Sequence, residues 1–328
     1  MQRSIHSIEE LLEILNSRIA QTKYGERPPN LYEPIDYIMS LGGKRMRPLL
    51  VLLAYQLNGE QIRDILDPAL AVEVFHNFTL MHDDIMDEAP IRRGKPTVHE
   101  KWNQTVAILA GDAMLIKAYD LLLEVPKDIF PTAVKRFNKT AVEVCEGQQI
   151  DMNFEELETV SEKEYLEMIR LKTAVLLGFS MEFGGMLAGQ NQDQVEQLYD
   201  VGEKMGIGFQ LMDDYLDVYA DKAKFGKQVG GDIISNKKTY LLINALELAN
   251  PDQKQALEDW LRYEGDDMES KVEGVKNIYD EIGIPNLAKM KMNYFFDQAI
   301  KTFKNIDGNE EAKEVLVTFA EKLMKRER

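Results

Sequence analysis

Apolar residues return at helical spacing along almost the whole of this chain, and that periodicity leaves little room for a sheet. "IEELLEILNSRIAQ" sets Ile8, Leu11, Leu12, Leu15 and Ile19 on one face, with acids and polar residues opposite. "EYLEMIRLKTAVLLGFSMEFGGMLAG" is apolar almost all round and reads as a helix buried in a core. "DQKQALEDWLRYEG" and "EEAKEVLVTFAEKLMKRER" are amphipathic again, and period-two runs of β-branched residues are missing. Breaks fall near Pro28-Pro29, Gly42-Gly43, Pro90 to Pro96, Pro126, Gly226 to Gly231, Pro251 and Pro285. None is long or polar enough to be a flexible linker. The pattern predicts one all-α domain over residues 1–328, a bundle of about ten or more helices.

Composition narrows the function. With 328 residues, 45% hydrophobic and 29% charged, the chain has ample core and is not disordered. A formal charge of −17 opposes nonspecific binding to nucleic acid or anionic lipid, so neither is expected as a partner. The single cysteine, Cys145, excludes an internal disulfide, fits a reducing compartment and reads as a small core residue. No signal-like stretch opens the chain and no run of about 18 apolar residues occurs, so a cytoplasmic protein without a membrane span is expected. The sixteen methionines read as adaptable core filler.

Two acidic clusters stand out: "HDDIMD", with Asp83, Asp84 and Asp87, and "DDYLD", with Asp213, Asp214 and Asp217. Residues i and i+4 share a helix face, so Asp83 and Asp87 point one way, as do Asp213 and Asp217. Like charges at that spacing cost a helix roughly 0.2–0.5 kcal/mol per pair. Pro90 and Gly226 follow closely, placing each cluster near a helix C-terminus, where the dipole disfavours anions by a further 0.3–1 kcal/mol or so. A divalent cation offsets such costs. Mg²⁺ typically binds through one or two carboxylates plus substrate phosphates, and four histidines and one cysteine argue against zinc. By contrast Asp266-Asp267, among polar residues after a glycine, reads as an ordinary helix start.

Basic residues are outnumbered, 39 against 56, yet they bunch. "GGKRMRP" packs Lys44, Arg45 and Arg47; "RRGK" packs Arg92, Arg93 and Lys95; "FGKQVGGDIISNKK" carries Lys227, Lys237 and Lys238. Arginine forks suit bidentate phosphate contacts and lysine serves as a point charge. Beside acidic clusters in loops at helix ends, these bunches point to two kinds of phosphate site, one through metal and one direct. The third segment lacks the pattern of an NTPase phosphate loop. Lys172-Thr173 interrupts an apolar helix and suggests a polar cavity, which Gln210, three residues before Asp213, would also line.

Together "GGKRMRP", "HDDIMD" with "RRGKPT", "KT" at 172, and "GFQLMDDYLD" with "FGKQVGGD" resemble the trans-isoprenyl diphosphate synthases, the polyprenyl synthetase family. The resemblance covers nearly the whole chain. It implies an all-α homodimer with a deep central cavity, the two aspartate motifs facing each other across its mouth. It implies isopentenyl diphosphate against Lys44, Arg47, His76 and Arg93. About three Mg²⁺ ions would be held by Asp83, Asp87 and Asp213. The allylic diphosphate (dimethylallyl, geranyl or farnesyl) would meet Arg92, Lys172, Thr173, Gln210, Lys227 and Lys237. Asp84, Asp214 and Asp217 complete the catalytic motifs.

In this family the growing tail runs along the helix bearing the first motif. Phe78, five residues before Asp83, would then cap the cavity about 7.5 Å up the axis. Phe75 would form a second layer, and the small Thr79 adds no further wall. That arrangement resembles archaeal geranylgeranyl enzymes, so a C20 product is expected, with C15 as the alternative. Three other classes remain open from sequence. A terpene cyclase shares the fold but normally mixes residues in its second motif, unlike "DDYLD". A noncatalytic subunit of a heteromeric synthase usually has eroded motifs, and both are intact here. Plain metal buffering by a helical protein is the third.

Overall fold

The computed structural model describes residues 5–59, 61–220 and 230–324. Among these, helices make up nearly all regular structure, and the sheet is a two-residue antiparallel hairpin, Ile91–Arg92 (β1) against Lys95–Pro96 (β2). No helix among the described residues is long and apolar enough to cross a membrane. Contacts divide the chain into two units. The first comprises Met1–Phe137, Ser180–Leu198 and Ile306–Leu316; the second comprises Asn138–Phe179, Tyr199–Asn305 and Val317–Arg328.

In the first unit α1 (Ile8–Gln21) begins at a capping box: the Ser7 hydroxyl accepts from Glu10 N, and the Glu10 carboxylate accepts from Ser7 N. It buries Ile8, Leu11, Leu15 and Ile19, as the periodicity requires, while Leu12 is half-buried. There follow α2 (Pro29–Ser40), α3 (Met46–Tyr55), α4 (Leu66–Met86), α5 (Val98–Lys101) and α6 (Gln104–Leu122). Helix α4 is the centre of this unit. It packs along α6 and also touches α1, α2, α3 and α5. Its interior face is not wholly apolar: Glu73 accepts from buried Arg45 at 2.6 Å and from Asn77 Nδ2 at 3.0 Å.

Four further helices follow: α7 (Phe130–Glu156), α8 (Glu162–Ile169), α9 (Val175–Leu187) and α10 (Gln192–Tyr219). The second unit also contains α11 (Gly231–Ile234), α12 (Tyr240–Leu248), α13 (Pro251–Leu261), α14 (Met268–Ile282) and α15 (Ile284–Lys304). The last helix, α16, is Glu310–Met324. Helix α12 packs against α8, α14 and α15, and α14 against α11, α13 and α15. Helix α14 starts where Asp267 Oδ1 accepts from Ser270 N at 3.0 Å, the helix start expected of that aspartate.

One expectation is refined and one corrected. The long apolar stretch is helical without a break, but Arg170–Ala174 form a π turn between α8 and α9. The extra residue in that turn gives the polar pair Lys172-Thr173 a direction of its own. Cys145 is exposed rather than in the core. It follows buried Val144 on α7, and one residue turns about 100° around a helix, which carries it out of the packed face.

Candidate active site

Both aspartate motifs end their helices. Helix α4 stops at Met86 with Asp87 as its C-cap, and α10 stops at Tyr219. The two are built alike. Asp83 is half-buried and Asp87 exposed, and Asp213 and Asp217 are both half-buried. The middle residues, Asp84 and Asp214, are 2% and 4% exposed and are tied internally. A residue at i+1 lies about 100° around the helix from its neighbour, so it faces the packing while i and i+4 face outward.

Asp84 Oδ1 accepts from Arg92 Nε at 2.7 Å and lies 2.6 Å from Arg92 Nη2. Burial raises the Asp84 pKa, and Arg92 opposes that rise. Arg92 also lies 3.5 Å from Asp83 Oδ2. The β1–β2 hairpin presents this arginine through a tight turn at Arg93 and Gly94, with φ of 53° and 74°, the primed turn that suits strand twist.

Around His76, about two helical turns before Asp83 on α4, the guanidiniums of Arg47, Arg92 and Arg93 gather. Arg47 Nη1 donates to His76 Nε2 at 2.9 Å, and Arg93 Nη1 donates to the Gly42 carbonyl. Burial first, then Arg47, Arg93, Arg92 and Arg45, drive the His76 pKa well below its ordinary value. The imidazole is therefore neutral, with its proton on Nδ1. Burial and Arg93 lower the Arg47 pKa to about 10, which leaves it charged at neutral pH. Gly43 is required here: at φ 119° it lies so close to Arg93 that a Cβ would sit 2.6 Å from the guanidinium carbon. In a chain of net charge −17, this is a local concentration of positive charge. One member of the basic bunch is not part of it. Arg45 is 4% exposed and committed to Glu73 and to the Met39 carbonyl, so it is a core ion pair. Lys44 beside it is exposed.

In the second unit the π turn carries Lys172 and Thr173. Helix α7 lies directly on it, since a Cβ on Gly147 would sit 2.2 Å from Lys172 N. Lys172 Nζ donates to Asp151 Oδ2 at 2.7 Å, and Lys237 Nζ is 3.8 Å from the same oxygen. Burial pushes the Asp151 carboxyl up, but Lys237 and Lys172 outweigh it and hold the pKa below its ordinary value. Thr173 Oγ1 donates to Gln210 Oε1 at 3.1 Å, and Gln210 Nε2 donates to Asp214 Oδ1 at 3.1 Å. The Tyr165 hydroxyl donates to the other oxygen of Asp214. Burial raises Asp214 to about 6 against the pull of those two donors. Asp217 Oδ2 accepts from Asp232 N at 2.9 Å. Burial, Asp214 and Asp217 lift Asp232 to about 7.

Lys172, Thr173, Gln210 and Lys237 thus share one network with the second motif. Lys227 lies outside the described residues. Asp151, Tyr165 and Asp232 belong to the network and escaped the sequence reading. Asp151 is one acid among several on α7, and Tyr165 looks like any core aromatic of an amphipathic helix. Only Asp232, directly after Gly230-Gly231, carried a local signal.

The donors suit a hard divalent cation. They are carboxylate oxygens near helix ends, without sulfur. Among the described residues no group of three or more His, Cys, Asp or Glu is arranged to hold an ion. Carboxylate pairs of this kind call on phosphate oxygens to complete the shell.

Comparison with known proteins agrees. The polyprenyl synthetase family model matches residues 28–282. The chain is 36% identical over 323 residues to a geranylgeranyl pyrophosphate synthase of Geoglobus acetivorans, covering 98% of each. It is 34% identical to the solved geranylgeranyl pyrophosphate synthetase of Pyrococcus horikoshii Ot3, with a TM-score of 0.90 and 97% of each chain covered. A polyprenyl synthase of Caulobacter crescentus CB15, solved with calcium and isoprenyl diphosphate, is 25% identical at a TM-score of 0.87, covering 99% of this chain and 100% of that one. Members of the family depend generally on divalent metal. The chain therefore belongs to the polyprenyl synthetase family and is a prenyltransferase of the all-α isoprenoid synthase fold.

Proposed function

We propose that this protein condenses isopentenyl diphosphate head to tail with an allylic diphosphate, in the trans sense, and releases geranylgeranyl diphosphate. The two units would together form one catalytic domain, working in the cytoplasm. The common build of the two motifs carries the proposal: each middle aspartate is buried and tied, by Arg92 in one case and by Tyr165 and Gln210 in the other, while the aspartates on either side of it are more exposed.

Asp83, Asp87 and Asp213 would hold about three Mg²⁺ ions, which supply the charge that lets the allylic diphosphate depart. Arg92, Lys172 and Lys237, with Lys227, grip that diphosphate; Asp151 fixes the spacing of Lys172 and Lys237. Thr173 and Gln210 turn oxygens toward the allylic cation, and exclusion of water protects it. Lys44, Arg47, His76 and Arg93 align isopentenyl diphosphate, whose double bond attacks; proximity lowers much of the barrier. His76 serves as a neutral hydrogen-bonding group, because burial and then the surrounding guanidiniums keep it unprotonated. The proton lost at the end goes to the released diphosphate, so no side-chain base is needed. Mass spectrometry of products from dimethylallyl, geranyl and farnesyl primers tests this directly. Accumulation of farnesyl diphosphate would favour C15 instead.

Chain length would be set by Phe78. It is half-buried and backed by a row of rings: Phe75 at 5.7 Å, then Phe137 at 5.1 Å from Phe75, then Tyr119 at 5.3 Å from Phe137. Thr79 Oγ1 turns back to the His76 carbonyl at 2.8 Å and presents no wall. Replacing Phe78 by alanine should therefore lengthen the product by about one isoprene unit, until Phe75 becomes the limit. An unchanged product by mass spectrometry would remove Phe78 from this role.

A second copy of the chain would cover α6. Leu109, Ile116 and Leu123 recur every seven residues and are 55%, 60% and 65% exposed, an apolar stripe that suits a homodimer. Sedimentation analysis should give the dimer mass, and Ile116→Glu should shift it to the monomer.

A further inference from the structure

The turn that carries Asp232 and Lys237 is fastened to α14 by a buried cation. Lys271 is 2% exposed, and its ammonium donates to Asn236 Oδ1 at 2.7 Å and to the Ile234 carbonyl at 3.3 Å. Both acceptors are neutral, and burial pulls the ammonium pKa below its ordinary value. A methionine would occupy that volume without desolvating a charge, so what the ammonium adds is the placement of two oxygens. Asn236 is itself constrained. It adopts a left-handed conformation, φ 55°, which asparagine tolerates, and its Nδ2 donates to the Leu261 carbonyl at 2.9 Å.

The same turn is fixed at its other end to α10. Gly230 N donates to the Asp217 carbonyl at 2.7 Å, and Asp232 N to Asp217 Oδ2 at 2.9 Å. Gly230, at φ 87°, approaches α14 so closely that a Cβ would sit 2.6 Å from Val272 Cγ1. Between these fixings, Lys237 N donates to the Asp232 carbonyl at 2.8 Å, and its side chain reaches to 3.8 Å from Asp151. The residue before Lys237 is the one that Lys271 holds.

We propose that Lys271 and Asn236 are positioning residues for the diphosphate-binding network of the second unit. They set Lys237 and Asp232 in register with Asp151 and Asp217 while touching no substrate. The proposal rests on the assignment of Lys237 to the allylic diphosphate. Isopentenyl diphosphate is assigned to Lys44, Arg47, His76 and Arg93 of the first unit, so a fault in this turn should appear on one substrate only.

Initial rates of Lys271→Met, varied in each substrate separately, test it. The KM for the allylic diphosphate should rise about tenfold, close to 1.4 kcal/mol, while that for isopentenyl diphosphate stays within about twofold. Tm should hold or rise, since a buried charge has gone. Lys271→Arg, which keeps charge and donors, should recover much of the loss. Asn236→Gly retains the left-handed backbone, removes the side chain and should show the same tenfold rise. The double variant should be no worse than either single one. Should Lys271→Met fail to fold, Asn236→Gly alone decides. A wild-type allylic KM in both variants overturns the proposal, as do equal changes for both substrates with a lowered Tm. The wild-type enzyme in the same assay separates the two levels: if it forms no prenyl diphosphate, the proposed function falls and the positioning role with it.

Discussion

Asp83→Asn should lower kcat about a thousandfold, and Asp213→Asn should do the same. Asparagine keeps the shape of the side chain while removing its charge and turning one acceptor oxygen into a donor, so helix α4 and its packing on α6 survive. What is lost is a hard anionic oxygen at the point where positive charge must be concentrated on a departing diphosphate. Single preorganised electrostatic contacts at such points are worth about a hundred- to a thousandfold, and a metal ligand belongs at the upper end, near 4 kcal/mol. Asp84→Asn is the internal control. Asp84 is buried against Arg92 at 2.6 Å and would act by holding that arginine, so a loss of only about ten- to a hundredfold is expected. Radiolabelled product formation across a Mg²⁺ titration measures all three. An Asp83→Asn enzyme within tenfold of wild type at saturating Mg²⁺ would sink the metal assignment.

The largest effect on stability should come from Glu73→Ala. Glu73 and Arg45 are 2% and 4% exposed and 2.6 Å apart. Removing the carboxylate strands a buried guanidinium and takes an acceptor from Asn77 as well. Breaking a buried pair in this way costs roughly 3–5 kcal/mol, or about 4–7 °C in Tm for a chain of this length. Replacing both partners by methionine should recover most of that loss, because the desolvation penalty disappears along with the attraction. Calorimetry on the two variants checks both statements. A Tm for Glu73→Ala within about 2 °C of wild type would mean that the pair is not isolated from water as its burial implies.

Much of the fold was legible because its cause is local. Amphipathic repeats produce α1 and α13, and a capping aspartate starts α14. The aspartate motifs could be found for the same reason, since an i, i+4 pair is a property of one helix. The π turn at Arg170–Ala174 was visible only as a polar interruption in an apolar run. Asp151 was invisible, because its meaning comes from Lys172, 21 residues away in sequence.

The order of residues alone thus settled that this chain is helical, that it places acidic pairs at helix ends beside basic bunches, and to which family it belongs. Which aspartate of each pair of neighbours is buried, which arginine of "GGKRMRP" becomes core, and what holds Lys172, Lys237 and Asp214 were decided by packing. Helix faces follow from near-neighbour geometry, whereas a buried charge takes whichever partner the folded chain brings within reach. That partner is chosen by the whole arrangement of helices rather than by any one of them.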